Sequence, residues 1–265
     1  MTTTLDSILN AARERVRTLK GERAALEAAA RAAPRPPGWS GVFGGAQVAV
    51  IAEVKRRSPS AGAIAEGLEP ADLARSYAAG GASAISVLTE GEHFGGSLAD
   101  LEAVRRAVRM PVLRKDFVVD ALQLYEARAA GASAVLLIVR ALDQGRLVEL
   151  AGAAGELGLG RLLEVHDASE LERALAVEAE SIGVNSRDLD DFSVDVARIE
   201  QVVRLVPPGV AVVAESGMSG RSDVEQVAAW GADAVLVGTA LAGAADPEGA
   251  VRSLAGVARV TRGPR

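Results

Sequence analysis

One short phrase recurs along this chain: Gly-Ala-Ser-Ala at 81–84, Gly-Ala-Ser-Ala at 131–134 and Gly-Ala-Asp-Ala at 231–234. Each follows a stretch with helical apolar spacing, such as PADLARSYAAG, and each leads into a run of Val, Leu and Ile. Glycine accepts the left-handed backbone that closes a helix, so each phrase predicts a C-cap from which the chain turns directly into a strand. The same unit can be followed through the chain. Strands are expected at 48–55, 84–90, 111–117, 134–140, 161–167, 181–187, 211–217 and 234–240, with helical segments such as SLADLEAVRRAV, ALQLYEARAAG, ASELERALAV and SDVEQVAAWG between them. Strict alternation demands parallel strands joined by right-handed crossovers. Eight such units fit a (β/α)8 TIM barrel better than an open doubly wound sheet, and no Gly-x-Gly-x-x-Gly follows the first strand to argue for dinucleotide binding.

In front of the barrel, Leu5, Ile8, Leu9, Ala12, Val16 and Leu19 fall at helical spacing and predict one helix over 4–32. The segment APRPPG, 33–38, ends it, because proline cannot continue a helix. Residues 1–265 are expected to form a single barrel domain, with 1–47 as helix and lead-in. The chain is 49% hydrophobic but only 3% aromatic, so its core must be built from Ala, Val, Leu and Ile, which pack closely between helix and strand.

The charge balance of 29 Lys and Arg against 35 Asp and Glu, without basic-aromatic interleaving, argues against nucleic acid as a partner. Bases on the first helix are intermixed with Glu14, Glu22 and Glu27, the pattern of a solvated face. The absence of cysteine excludes a disulfide framework and a thiolate metal site, and fits a reducing cytoplasm. No segment approaches the roughly 18 uninterrupted apolar residues of a membrane span, and the N-terminus lacks a secretory apolar core. No membrane association is expected.

In a barrel of this kind the site lies at the C-terminal ends of the strands. Glu53 and Lys55, two apart on the first strand, share a face; Lys115, Glu164, Asn185, Arg187, Glu215 and Ser216 follow at the ends of later strands. Several of these interrupt an apolar run before the strand has ended, which is costly unless the groups have a task. Gly-containing loops with hydroxyls, Ser216-Gly217 and Gly238-Thr239, come after the seventh and eighth strands, where such barrels often hold a phosphate. Ser58 could add a hydroxyl. His93 and His166 lack a third ligand at metal spacing and read as ordinary strand-end or loop histidines, so no metal is expected. Trp39 and Trp230 are expected to pack rather than to stack on a ligand.

Taken together, IAEVKRRSPSAG, AISVLTEGEHFGGSLADL, PVLRKDFVVDALQLYEARAAGASAVLLIV, LLEVHD, IGVNSRDL, VAESGM and AVLVGTAL resemble the indole-3-glycerol phosphate synthases, lyases of tryptophan biosynthesis. The resemblance runs from the N-terminal helix to the last strand. It implies a cofactor-free decarboxylase that converts one small phosphorylated substrate, 1-(2-carboxyphenylamino)-1-deoxyribulose 5-phosphate, into indole-3-glycerol phosphate, and is compatible with a monomer. It also implies Lys115 as general acid; Lys55, paired with Glu53, and Glu164 as second acid and base; and Asn185, Arg187 and Glu215 as orienting groups. The phosphate would sit among Ser58, Ser216, Gly217, Gly238 and Thr239, and the anthranilate ring among Pro59, Phe94, Phe117 and Leu189. The segment 56–67 would close over the substrate. The related barrel isomerase that makes this substrate typically uses Cys and Asp, and this chain has no Cys. A non-catalytic barrel would be expected to have lost Lys115 or Glu164.

Overall fold

The computed structural model describes residues 4–59, 61–65, 67, 69–188 and 193–262. Eight parallel strands, β1 (Ala49–Val54), β2 (Ala84–Leu88), β3 (Val112–Lys115), β4 (Ala134–Ile138), β5 (Gly160–Val165), β6 (Ser181–Asn185), β7 (Ala211–Glu215) and β8 (Ala234–Val237), close a barrel in which β1 pairs with both β2 and β8. The expected (β/α)8 TIM barrel is therefore the observed fold. Helices α3 (Pro70–Ala79), α4 (Leu98–Ala107), α5 (Ala121–Ala129), α6 (Gln144–Glu156), α7 (Ala168–Leu175), α8 (Ala197–Val203) and α9 (Arg221–Trp230) connect the strands; α10 (Thr239–Ala242) and α11 (Pro247–Leu254) follow the last one.

The recurring phrase does one job three times. Gly81, Gly131 and Gly231 are left-handed, with φ of 95°, 85° and 102°. The N–H of the next alanine donates back to a carbonyl in the last helical turn: Ala82 to Tyr77 at 3.0 Å, Ala132 to Ala127 at 2.9 Å and Ala232 to Val227 at 3.0 Å. One residue later the chain is already bonded to the neighbouring strand, through Ser83 to Val50, Ser133 to Val112 and Asp233 to Val212 at 2.8, 2.7 and 2.8 Å. A helix cap and a strand register are thus set by the same four residues.

Period-two alternation divides each strand between two cores. On β1, Val50, Ala52 and Val54 join the outer apolar layer with Leu73, Ala74 and Tyr77 of α3, whereas Ala49 and Ile51 face inward with Leu113, Leu136, Leu162, Val213 and Leu236. Each Val, Leu or Ile among them contributes about 1.5–3 kcal/mol on burial. At the N-terminal end Trp39 is buried, meets Phe43 edge-on at 5.5 Å between ring centroids, and donates its indole N–H to Ser181 Oγ at 3.0 Å. A Cβ on Gly160 would lie 2.4 Å from Trp39 Cβ, so glycine at the first residue of β5 admits the indole. Trp39 packs, and Trp230 is a partly buried member of the outer layer.

The N-terminal segment departs from expectation. Instead of one helix over 4–32 there are two, α1 (Leu5–Leu19) and α2 (Arg23–Ala32), separated by a 3-10 turn at Lys20–Glu22 that contains Gly21. Glycine in a helix interior costs roughly 0.5–1 kcal/mol relative to alanine, and the break falls there. Val16 and Leu19 pack with Leu122 at the start of α5, and Arg15 donates to both oxygens of Glu126 on the same helix at 2.7 and 2.6 Å. The strands also end one to three residues earlier than read. Lys55, Arg187, Ser216, Gly217, Gly238 and Thr239 accordingly stand just beyond their strands. Among the described residues, no helix is long and apolar enough to cross a membrane.

Candidate active site

Inward positions low in the barrel are apolar, and the next inward positions toward the C-terminal ends are charged. They open into a cavity of about 390 Å³ lined by Glu53, Lys55, Lys115, Glu164, Asn185 and Glu215, within the size range of small-molecule sites. Lys55 Nζ lies 2.7 Å from Glu53 Oε1. Lys115 Nζ stands between two carboxylates, 3.5 Å from Glu164 Oε2 and 3.5 Å from Glu215 Oε2. Asn185 Nδ2 donates to Glu164 Oε1 at 3.2 Å, while Asn185 Oδ1 accepts from Ser216 Oγ at 2.8 Å and from the Arg187 N–H at 3.0 Å.

Two glycines make this packing possible. A Cβ on Gly183 would lie 2.0 Å from Glu215 Oε1, and one on Gly238 would lie 2.2 Å from Glu53 Oε1 and 2.8 Å from Lys55 Nζ. Gly238 was expected only as part of a phosphate loop. It also lines the cavity, but the space a Cβ would need there is taken by the charged pair on β1.

The electrostatics follow from three carboxyl groups sharing two ammonium groups. Burial alone disfavours charge on Lys115, yet Glu215, Glu164 and Glu53 together outweigh it and raise its pKa. The charged groups that act on Lys115 are anions. Burial also opposes ionisation of Glu53, but Lys55 and Lys115 prevail and lower its pKa. Glu215 is the surplus acid; burial, with Glu164 and Glu53 adding to it against the pull of Lys115, pushes its pKa up to about 8. Arg187 is lowered by burial.

On the loop side, Ser58, Pro59, Phe94, Phe117, Arg187, Ser216, Gly217 and Thr239 line the same cavity. Ser58 belongs to a two-stranded ribbon, Arg57–Ser58 against Gly62–Ala63, which the sequence did not reveal. The ribbon is anchored by Arg56, which pairs with Asp100 on α4. Phe94 and Phe117 are 6.0 Å apart, tilted 32°, and form an aromatic wall. Ser216 and Gly217 are both left-handed, with φ of 63° and 77°; a non-glycine residue held there marks a backbone fixed by its surroundings. Leu189 lies outside the described residues. Sequence reasoning missed Leu88, Leu136, Ile138, Leu236, Met218 and Asp116, which also line the cavity. The apolar ones look like any barrel residue, and only their height in the barrel distinguishes them. Among the described residues, no cluster of three or more His, Cys, Asp or Glu could hold a metal.

The model of the family described as indole-3-glycerol phosphate synthase matches residues 5–254. The chain belongs to the indole-3-glycerol phosphate synthase family. It is 49% identical over 254 residues to the indole-3-glycerol phosphate synthase of Mycobacteroides abscessus, covering 95% of this chain and 93% of that protein. The protein of the same name from Nocardioides sp. is 57% identical over 215 residues, 81% of this chain and 83% of its own. That from Streptomyces griseus is 50% identical over 94% of each. Among solved structures, a thiamine phosphate pyrophosphorylase from Pyrococcus furiosus superposes with a TM-score of 0.58 at 19% identity, covering 78% of this chain and 93% of that one. An N-acetylmannosamine-6-phosphate 2-epimerase from Clostridium perfringens gives 0.59 at 14% identity, over 75% of this chain and 89% of its own. These last two share the barrel, and the likeness is one of fold alone.

Proposed function

We propose that the cavity makes indole-3-glycerol phosphate from 1-(2-carboxyphenylamino)-1-deoxyribulose 5-phosphate by lysine and glutamate acid-base catalysis, as the family's name and the inward charges both suggest. The observation that carries this reading is Lys115, held as an ammonium 3.5 Å from each of two carboxyl groups at the floor of a cavity with an aromatic wall. The ring carbon bearing the carboxylate attacks the ketone, and Lys115 delivers a proton to the ketone oxygen as it becomes an alkoxide. A forming alkoxide is a far stronger base than the carboxylates that stabilise the ammonium, so a raised pKa keeps the acid loaded without preventing transfer.

Carbon dioxide then leaves, and its bonding electrons return to the ring system. Dehydration follows: Lys55 protonates the departing hydroxyl, and Glu164 takes a proton from the methylene carbon beside the nitrogen, whose C–H electrons form the last indole double bond. Glu53 steadies Lys55, and Glu215 steadies Lys115. Asn185 orients Glu164, and Arg187 faces the substrate's carboxylate or hydroxyls. The substrate phosphate lies among Ser58, Ser216, Gly217, Gly238 and Thr239, and the anthranilate ring between Pro59 and the Phe94–Phe117 wall, with Leu189 assigned to the same slot. No cofactor takes part in these steps.

The test is indole fluorescence on adding this substrate to the purified protein and to Lys115→Ala. Wild type is expected to give a fluorescent product, reduced at least about a hundredfold in the variant, the usual scale for a lost general acid. A folded wild type that yields no indole would refute the reading.

A further inference from the structure

The scheme above leaves the chemistry of His166 unused. The residue follows β5, is fully buried and sits two residues beyond Glu164. Its Nδ1 lies 3.0 Å from Glu170 Oε2, and the same oxygen accepts the His166 backbone N–H at 2.8 Å. Glu170 is also bonded by Arg140 Nε at 2.8 Å. Burial opposes its charge, but His166 and Arg140 prevail and hold its pKa at about 2. The Glu170 carboxylate only accepts hydrogen bonds, so the ring nitrogen that faces it, Nδ1, is the one that carries a proton.

That leaves Nε2 aimed the other way. It is buried, has no hydrogen-bond partner among the described residues, and lies 3.7 Å from Glu164 Oε1. When Nδ1 carries the only ring proton, Nε2 presents a lone pair to a carboxylate oxygen, two acceptors face to face. The gap becomes a hydrogen bond only when a proton sits between them. Such an unsatisfied buried nitrogen is costly in the resting site and is relieved when Glu164 takes up a proton.

We infer that His166 is a positioning residue for the reaction, whose Nε2 accepts a hydrogen bond from Glu164 once that carboxylate has taken the substrate proton, with Glu170 and Arg140 fixing the tautomer and the ring. The inference rests on the assignment of Glu164 as the base. Glu164 is pulled from three sides: Lys115 stands on Oε2, while Asn185 and His166 face Oε1. Arg140 also reaches Asp188, 3.7 Å away, next to Arg187. The chain of contacts therefore joins the base to the loop that carries Arg187.

Two measurements test this. In steady-state assays, His166→Ala is expected to lower kcat about tenfold with KM changed less than twofold, and His166→Gln, whose side-chain carbonyl can accept near the Nε2 position, to recover most of the loss. His166→Asn, which reaches only as far as Nδ1, should remain impaired although it keeps the bond to Glu170. Equal activity of the Gln and Asn variants, or an unchanged kcat in the Ala variant, would overturn the assignment. Independently of turnover, imidazole 15N spectra of the ligand-free protein are expected to show the Nδ1–H tautomer for His166, assigned by its loss in the Gln variant, and an Nε2 resonance that moves in Glu164→Gln. An Nε2 resonance insensitive to that substitution would refute the contact, whereas a wild type without synthase activity but with the shift would refute only the proposed reaction.

Discussion

Arg114 and Lys115 are neighbours on β3 and face opposite sides of the barrel wall, one behind it and one in the mouth. Arg114, with no surface exposed, donates to Thr89 Oγ1 at 3.1 Å, to the Gln123 carbonyl at 2.6 Å, to Asp116 Oδ2 at 2.8 Å and to Glu126 Oε2 at 3.2 Å. Arg15 from α1 completes the cluster at Glu126 and stands 3.8 Å from Asp116. Lys115 instead has two carboxyl groups at 3.5 Å, and among the described residues Glu215 Oε1 beside it has no hydrogen-bond partner. Both clusters are buried and charged, but one is saturated with short bonds and the other is loose. A saturated cluster fixes helix and strand positions; a loose one keeps bonding capacity for a transition state.

The contrast can be broken at several points. Lys115→Ala should produce the largest loss of turnover, the hundredfold or more expected above, with a smaller fall in melting temperature than Arg114→Leu, because Glu215, already shifted toward its protonated form, can become neutral. Arg114→Leu should invert this pattern. It leaves Asp116 and part of Glu126 buried without their cation, a change of about 3–5 kcal/mol, and a fall in Tm on the order of 10 °C by calorimetry. A stable Arg114→Leu protein would show that the saturated cluster does not hold the fold.

Gly238→Ala probes the boundary between the two roles. Its Cβ would displace Glu53 and Lys55, so turnover is expected to fall at least about tenfold, with a stability loss of about 1–3 kcal/mol, smaller than that of Arg114→Leu. The last effect is read against pH. Because the folded pKa of Glu215 is raised to about 8 from 4.5, the folded state binds the extra proton, and stability contributed by this group is lost as pH rises from about 4.5 to about 8. Glu215→Gln cannot ionise, so its Tm relative to wild type should climb between pH 5 and pH 8. A difference that stays constant with pH would mean that Glu215 is ionised throughout.

How much of this was legible beforehand differs by residue. Glu53, Lys55, Lys115, Glu164, Asn185 and Glu215 were visible because a polar side chain breaking an apolar strand of period two can only face a mouth or a core, and the structure brings them to one cavity. The Arg114 cluster escaped notice because an arginine followed by lysine and aspartate reads as a solvated strand end until α5 and α1 are packed behind it. The Arg57–Ser58 ribbon likewise has no alternating apolar pattern to announce it.

Sequence alone determined the barrel, because helix caps at Gly81, Gly131 and Gly231 and the strand period are local properties of the chain. It also determined which strands carry charge. Only the tertiary structure decided which charges share protons. That Glu215 is the surplus acid, that Gly183 and Gly238 are spaces for carboxylates, and that His166 points an empty nitrogen at Glu164 all depend on distances between different strands. Coulomb and hydrogen-bond energies change over fractions of an ångström, and residue order carries no information at that scale.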